Sequence, residues 1–151
     1  MCVSQERIQG FKKAMNKHKI SKENYKIIEA GLLPEEGMEV IEDLIFHHDI
    51  PDAIFCVNDM VALGAIKKLK DNGYRVPEDV AVVGFTETRM AELVSPQLSS
   101  VKQPTYDMAK KAGELLLRHI EDENAPAETI IMNGEFTIRK SSVKNSSAGY
   151  L

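Results

Sequence analysis

Apolar and polar residues follow two different periods along this 151-residue chain. Two short segments are apolar almost throughout, 53–57 (AIFCV) and 80–85 (VAVVGF), which is typical of strands buried on both faces. Other segments place apolar residues every three or four positions, which predicts amphipathic helices. These helical segments are 5–19, 34–48, 60–71 and 105–121.

Shorter patterns predict additional strands. Residues 25–29 (YKIIE) are β-rich and lead into a loop, and residues 99–102 form a short extended piece. Near the C-terminus, 129–132 and 135–138 flank the dipeptide Asn133-Gly134. Because that dipeptide favours a two-residue turn, the pattern predicts a C-terminal β-hairpin.

The order of these elements predicts the fold class. Helices alternate with buried strands, which favours an α/β fold with a doubly wound parallel sheet covered by helices on both faces. The length suits a single domain.

Composition and charge narrow the function classes. The formal net charge of −4 gives this chain no overall attraction for a nucleic-acid backbone. Its two cysteines, Cys2 and Cys56, do not form the dense set of a secreted disulfide scaffold. No signal peptide and no membrane-spanning apolar segment is evident in the sequence. We therefore expect a cytoplasmic protein that makes no membrane contact.

Candidate binding residues follow the predicted buried strands, because ligands of open parallel sheets bind at the carboxyl ends of the strands. Asn58 and Asp59 follow the first apolar run, and Thr86 and Glu87 follow the second. An amide beside a carboxylate suits a ligand with many hydroxyl groups or a heterocycle. Alternatively, either Asn58 or Asp59 caps the helix that begins at Met60.

Arg7 is a further candidate. It lies in the first turn of the first predicted helix, where a cation is unfavourable against the helix dipole. Two interpretations remain open, a functional arginine or an ordinary exposed residue beside Glu6.

Catalytic signatures are missing from the sequence. No serine lies in a nucleophile elbow, and no glycine-rich loop precedes a helix. The four histidines do not form a metal-ligand array, and the adjacent His47 and His48 point about 100° apart on a helix. We expect no catalytic residue, no metal and no cofactor, and hence no enzyme.

The central run 51–85 (PDAIFCVNDMVALGAIKKLKDNGYRVPEDVAVVGF) closely resembles the ligand-sensing domain of the lactose- and galactose-repressor family of bacterial transcription regulators. Residues 96–104 (PQLSSVKQP) and the pair Arg7 and Gly10-Phe11 fall where that family's pattern places them. The resemblance implies a fold similar to periplasmic sugar-binding proteins, in which two α/β subdomains close around an effector. It also implies a homodimer that binds DNA only through an N-terminal helix-turn-helix domain.

The family holds its effector with residues that match Arg7, Asn58 and an acid directly after Gly84-Phe85. This chain departs at the third position, because Thr86 replaces the acid and Glu87 follows one residue later. Either Glu87 reaches the ligand, or the effector is not a plain sugar. The predicted effector site comprises Arg7, Asn58, Asp59, Thr86 and Glu87.

The resemblance also divides the chain. Residues 1–140 match part of an effector-binding domain, mainly its C-terminal subdomain, and 141–151 is predicted to be a disordered tail. The helix-turn-helix and a strand before Met1 have no counterpart here. We expect an unpaired sheet edge that pairs with another copy or with a displaced segment, and a new partner surface for the apolar stripe of helix 105–121.

Rival functions remain. An exported solute-binding protein shares the fold. A phospho-acceptor receiver domain also has a doubly wound sheet, and Asp59 and Lys102 resemble its acceptor and lysine, but the first predicted strand lacks the receiver's acidic pair. The prediction is the effector-sensing and dimerisation domain of a bacterial transcription regulator.

Overall fold

Helices and strands alternate along residues 3–144, which is the part of the chain that the computed structural model describes. The elements are α1 (Val3–Lys17), a short 3₁₀ turn (Lys22–Asn24), α2 (Pro34–Phe46), β1 (Ala53–Phe55), α3 (Asp59–Asp71), β2 (Ala81–Thr86), α4 (Met90–Leu93), β3 (Ser99–Lys102), α5 (Thr105–Glu121) and β4 (Glu135–Thr137). Each predicted helix is present, with ends within a few residues of those expected.

The strands form one sheet in the order β1-β2-β3-β4. β1 and β2 are parallel, β2 and β3 are parallel, and β3 and β4 are antiparallel. Phe85 contacts Arg7 of α1, whereas the neighbouring Gly84 faces Asp59 of α3, so these two helices cover opposite faces of the sheet. The predicted α/β class with a mostly parallel sheet is confirmed.

Helices α2 and α3 cross at backbone contact. A Cβ atom on Gly64 would lie 1.9 Å from the carbonyl oxygen of Pro34, and one on Gly37 would lie 2.3 Å from that of Val61. Each helix thus places a glycine against a carbonyl of the other helix, a separation that no larger residue permits. The hydrophobic core forms around this crossing and beneath β2, and it includes Ile41, Leu44, Ala62, Ala65, Ile66, Leu69, Val80, Val82 and Leu98.

The predicted C-terminal β-hairpin is wrong. Residues 129–132 form no strand, and β4 pairs with β3 instead, with Glu135 opposite Lys102. A Cβ atom on Gly134 would lie 2.8 Å from the carbonyl oxygen of Lys102. Glycine therefore serves a close approach of the chain to β3 here, and not a hairpin turn.

The strand predicted at 25–29 does not form either. This segment lies outside the sheet, where the Phe11 ring contacts both Tyr25, at 5.5 Å between centroids, and Phe55, at 6.3 Å. A β-rich segment becomes a strand only where it pairs with a neighbouring strand, and this segment pairs with none of the four. β1 is an edge of the sheet. Among residues 3–144, the outward backbone groups of β1 therefore have no strand partner, as the sequence predicted.

Helix α5 has the predicted limits but contains no buried residue. Its predicted stripe remains accessible, since Met108 and Ala112 are exposed and Leu115 is only partly buried. The expected partner surface for this stripe is thus not supplied by residues 3–144. Other exposed apolar side chains of α5 are Tyr106, Leu116, Leu117 and Ile120.

The tail predicted at 141–151 begins too early. Ser141 is 0% exposed, and its backbone N–H donates to the carbonyl oxygen of Gln97 over 2.9 Å. Residues 145–151 lie outside the described residues. No helix within 3–144 has the length and apolar character needed to span a membrane.

Candidate functional site

All five predicted site residues lie at one edge of the sheet, where the parallel strands end. Asn58 and Asp59 follow β1 at the start of α3, Thr86 ends β2, and Glu87 comes next. Arg7 reaches the same edge from α1, where its Nη1 donates to the carbonyl oxygen of Val57 over 2.6 Å. The topology therefore assembles the set that the sequence predicted.

Arg7 is held against an aromatic ring. Its guanidinium carbon lies 4.1 Å from the centre of the Phe85 ring, which is a cation–π arrangement. Partial burial lowers the pKa of Arg7 by removing water from the guanidinium, but the group stays charged at any physiological pH. The N–H groups on Nε and Nη2 make no hydrogen bond with residues 3–144, so they are free to donate to a ligand.

Asn58 caps helix α3, as the alternative interpretation predicted. Its Oδ1 accepts from the backbone N–H of Val61 over 2.8 Å, and its Nδ2 donates to the carbonyl oxygen of Leu32 over 3.0 Å. One N–H of the side-chain amide remains for a ligand, because the NH₂ group has two donors. Contact between Asn58 and an effector stays a prediction.

Asp59 faces inward. It is 1% exposed, its Oδ1 accepts from the Ser100 hydroxyl over 2.6 Å, and its Oδ2 accepts from the backbone N–H of Thr88 over 2.5 Å. A Cβ atom on Gly84 would lie 2.4 Å from Oδ1, so only glycine leaves room for this carboxylate. Asp59 thus lies beneath the strand ends, with both oxygens engaged inside the chain.

Thr86 and Glu87 both have positive φ angles, 116° and 56°. Conformations of this kind are unfavourable for residues with a side chain. The Glu87 carboxylate accepts from Nη2 of Arg139 over 2.5 Å, and both side chains are nearly buried. Burial raises the pKa of Glu87, but hydrogen bonds from Arg139 and Thr137 outweigh this and hold the pKa below its usual range. In this structure Glu87 is therefore bound by Arg139 and does not project freely into the site.

Sequence reasoning missed the residues that support this edge. Ser100 and Arg139 contact Asp59 and Glu87, although they are about 40 and 50 residues distant in the chain. Ser99 and Ser100 are both fully buried in β3. Two adjacent serines in a predicted strand were the available signal, since a buried hydroxyl requires a partner.

Two cavities of about 300 and 410 Å³ lie away from the edge that carries the predicted site, and Tyr74 lines both. The smaller one borders Asp52 and Val80, at the amino ends of β1 and β2, opposite to the predicted site. Because the predicted residues and their support converge at the carboxyl ends, that edge is the better candidate.

Catalytic or metal chemistry finds no support within residues 3–144. No cluster of three histidine, cysteine or carboxylate side chains there could hold a metal ion. Burial raises the pKa of the Cys56 thiol to about 12, with a further contribution from nearby Asp59. A thiol held in its protonated form is a poor nucleophile.

Known proteins share this arrangement of elements. Residues 2–142 match the family model described as a periplasmic binding protein-like domain. The chain belongs to this family. Within it, the chain is 36% identical over 143 residues to the HTH-type transcriptional repressor PurR of Vibrio atlanticus, covering 95% of this chain and 42% of the repressor. It is 32% identical over 139 residues to the ribose operon repressor of Haemophilus influenzae, covering 92% and 42%.

A solved structure agrees with the fold. A LacI family transcriptional regulator from Enterococcus faecium with bound ribose superposes with a TM-score of 0.82 at 25% identity, covering 90% of this chain and 50% of that one. The predicted membership of the lactose- and galactose-repressor family is therefore confirmed. Both curated relatives are transcriptional repressors by name, as the predicted family implies. The chain spans less than half the length of these curated relatives.

Proposed function

We propose that this chain senses a small-molecule effector for a bacterial transcription regulator, and that the effector binds at the carboxyl ends of β1 and β2. The observation that carries this proposal is Arg7. Its guanidinium is fixed by the Val57 carbonyl and the Phe85 ring, and within residues 3–144 its Nε and Nη2 groups have no hydrogen-bond acceptor. A cation that is positioned before the ligand arrives loses little side-chain entropy on binding.

The surroundings of Arg7 suit a sugar or a sugar derivative. Phe55 and Phe85 contact each other at 6.3 Å between centroids, and Phe55 is 40% exposed. An aromatic surface beside a hydrogen-bond donor is a common way to bind a molecule with one apolar face and several polar groups. The relative from Enterococcus faecium, which has ribose bound, makes ribose a suitable first probe.

We divide the predicted site residues by role. Arg7, Asn58 and Thr86 contact the effector, because each retains a polar group that is free or accessible at the strand ends. Asp59 and Glu87 act behind them, because internal partners occupy their carboxylates. A hydroxyl at Thr86 accepts more weakly than a carboxylate would, and this favours a derivative over a plain sugar.

Replacement of Arg7 by alanine tests the proposal. In calorimetric titrations with ribose, we expect the R7A variant to bind roughly 10- to 100-fold more weakly than the unmodified chain, because a charge-assisted hydrogen bond is lost. The matched control is Arg75→Ala, which removes an exposed arginine paired with Asp79 and distant from the site. Equal affinity of R7A and the unmodified chain would place the effector elsewhere, and no binding of ribose to the unmodified chain would exclude it as an effector.

We propose the remaining properties for the whole regulator. DNA is bound by a separate helix-turn-helix domain, since this chain has a net charge of −4. A regulator of transcription acts where the bacterial genome is, so the cytoplasm is its location. No membrane takes part.

We also propose that the chain forms a homodimer. Support comes from α5, because its apolar side chains are not covered by any of residues 3–144, and Leu116 is 63% exposed. Sedimentation at micromolar concentration should give twice the mass of one chain, and Leu116→Glu should shift it towards one. Lys110→Glu, on the charged side of the same helix, is the control and should leave the mass unchanged. A single-chain mass for the unmodified protein would exclude the homodimer.

A further inference from the structure

The geometry points to Asp59 and Arg139 as positioning residues of the effector site, which hold Thr86 and Glu87 in a strained turn at the end of β2. This inference deepens the proposed function and rests on it for the effect on a ligand. Asp59 and Arg139 are brought to this turn by hydrogen bonds between segments that are far apart in the chain.

The turn requires an external restraint. Thr86 has a φ of 116° and Glu87 a φ of 56°, and neither is glycine. A non-glycine residue in this region is strained, and such residues persist where the surroundings fix them. Two consecutive strained residues therefore require contacts that would be lost if the turn relaxed.

Asp59 supplies the first restraint from below. Its Oδ2 accepts from the backbone N–H of Thr88 over 2.5 Å, directly after the strained pair. Its Oδ1 accepts from the Ser100 hydroxyl, and the Ser100 oxygen accepts from the backbone N–H of Glu87 over 3.1 Å. One buried carboxylate thus binds two successive backbone N–H groups, one directly and one through Ser100. Buried hydrogen bonds to a charged group are among the strong ones, so relaxing the turn would be costly.

Arg139 supplies the second restraint from the side. Its Nη2 donates to the Glu87 carboxylate, and its Nη1 donates to the carbonyl oxygen of Leu98 over 3.0 Å. Its backbone N–H donates to the Ser99 hydroxyl over 2.7 Å, which fixes the main chain of Arg139 as well. The guanidinium is therefore anchored on the segment leading into β3, and it pulls the Glu87 side chain towards that segment.

The two restraints connect the parts of the site. Asp59 lies next to Asn58 at the start of α3, and Arg139 follows β4 by two residues. The position of Thr86 therefore depends on α3 and on the segment after β4. Neither Asp59 nor Arg139 needs to touch an effector in order to set the affinity for it.

A double-mutant cycle that measures the backbone strain at Thr86 tests the inference without a ligand. We expect Thr86→Gly to raise the unfolding midpoint by roughly 2–6 °C, because glycine adopts positive φ freely. In an Arg139→Ala background the same change should give less than half of that gain, since the released turn relaxes by itself. In an Arg75→Ala background the full gain should remain.

Amide exchange provides a second, local readout. Asp59→Asn should speed exchange at the Thr88 amide roughly 10- to 100-fold, because that N–H loses its charged acceptor. The control is Asp79→Asn, which alters an exposed carboxylate paired with Arg75. Arg139→Lys, which keeps the charge but not the forked geometry, should recover part of the effect of Arg139→Ala.

Ribose titration then separates the two proposals. We expect Asp59→Asn and Arg139→Ala to weaken ribose binding roughly 3- to 30-fold, with Arg139→Lys in between. If the unmodified chain does not bind ribose, ribose is excluded as its effector, while the ligand-free cycle still tests the turn. Equal ribose affinity in all variants would overturn the positioning role, and so would a Thr86→Gly variant that is less stable than the unmodified chain or gains equally in both arginine backgrounds.

Discussion

Replacing Gly64 by alanine should lower the free energy of unfolding by about 3 kcal/mol and the midpoint by roughly 6–12 °C. The added Cβ would lie 1.9 Å from the carbonyl oxygen of Pro34, which is main chain and cannot rotate away. Relief requires α3 to move off α2, and that movement opens the core around Ile41 and Leu69. Thermal and urea unfolding would measure the loss.

The control is Gly113→Ala in α5, where a Cβ would meet nothing within 4 Å. Alanine favours a helix over glycine, so this variant should gain about 0.5–1 kcal/mol. The two substitutions are chemically identical and both lie within helices. Similar stability changes for both would contradict the close crossing of α2 and α3.

Replacing Ser141 by alanine should also lower the free energy of unfolding, by about 3 kcal/mol. The Ser141 hydroxyl donates to the carbonyl oxygen of Val82 over 2.6 Å and accepts from the backbone N–H of Ser99 over 2.8 Å. Val82 and Ser99 are fully buried, so the variant leaves a donor and an acceptor without partners. Denaturant unfolding monitored by circular dichroism would give the change in free energy.

Ser142 offers the comparison. Among residues 3–144, its hydroxyl bonds only that of Ser99, and the Ser99 hydroxyl also donates to the carbonyl oxygen and accepts from the N–H of Arg139. Ser142→Ala should therefore cost less than about 1 kcal/mol. If Ser141→Ala proved as mild as Ser142→Ala, the segment after β4 would not be fastened to β2 and β3 as described.

Local pattern predicted the parts of the fold that local physics determines. The apolar runs around Phe55 and Val82 lie in β1 and β2, and the periodicity of 105–121 matches the limits of α5. Helix α2 begins at Pro34, as proline and the acids after it indicated. These features depend on neighbours in sequence, which a single sequence displays.

Long-range pairing was beyond such reasoning. Asn133-Gly134 was interpreted as a turn because the sequence does not reveal that Gly134 passes close to Lys102. Likewise, residue type placed Asp59 at the strand ends but could not show that its carboxylate points inward to Ser100. The partners of a buried polar group come from distant segments, so they become visible only in three dimensions.

The open edge of β1 has a consequence for how the chain behaves at high concentration. Long, flat edge strands are templates on which other chains add strands and aggregate. β1 has only three residues, and the next outward carbonyl, that of Val57, already accepts from Arg7. A foreign strand would thus find few free backbone groups before meeting a charged side chain. Arg7, the residue proposed to hold the effector, therefore also limits the addition of further strands to this edge of the sheet.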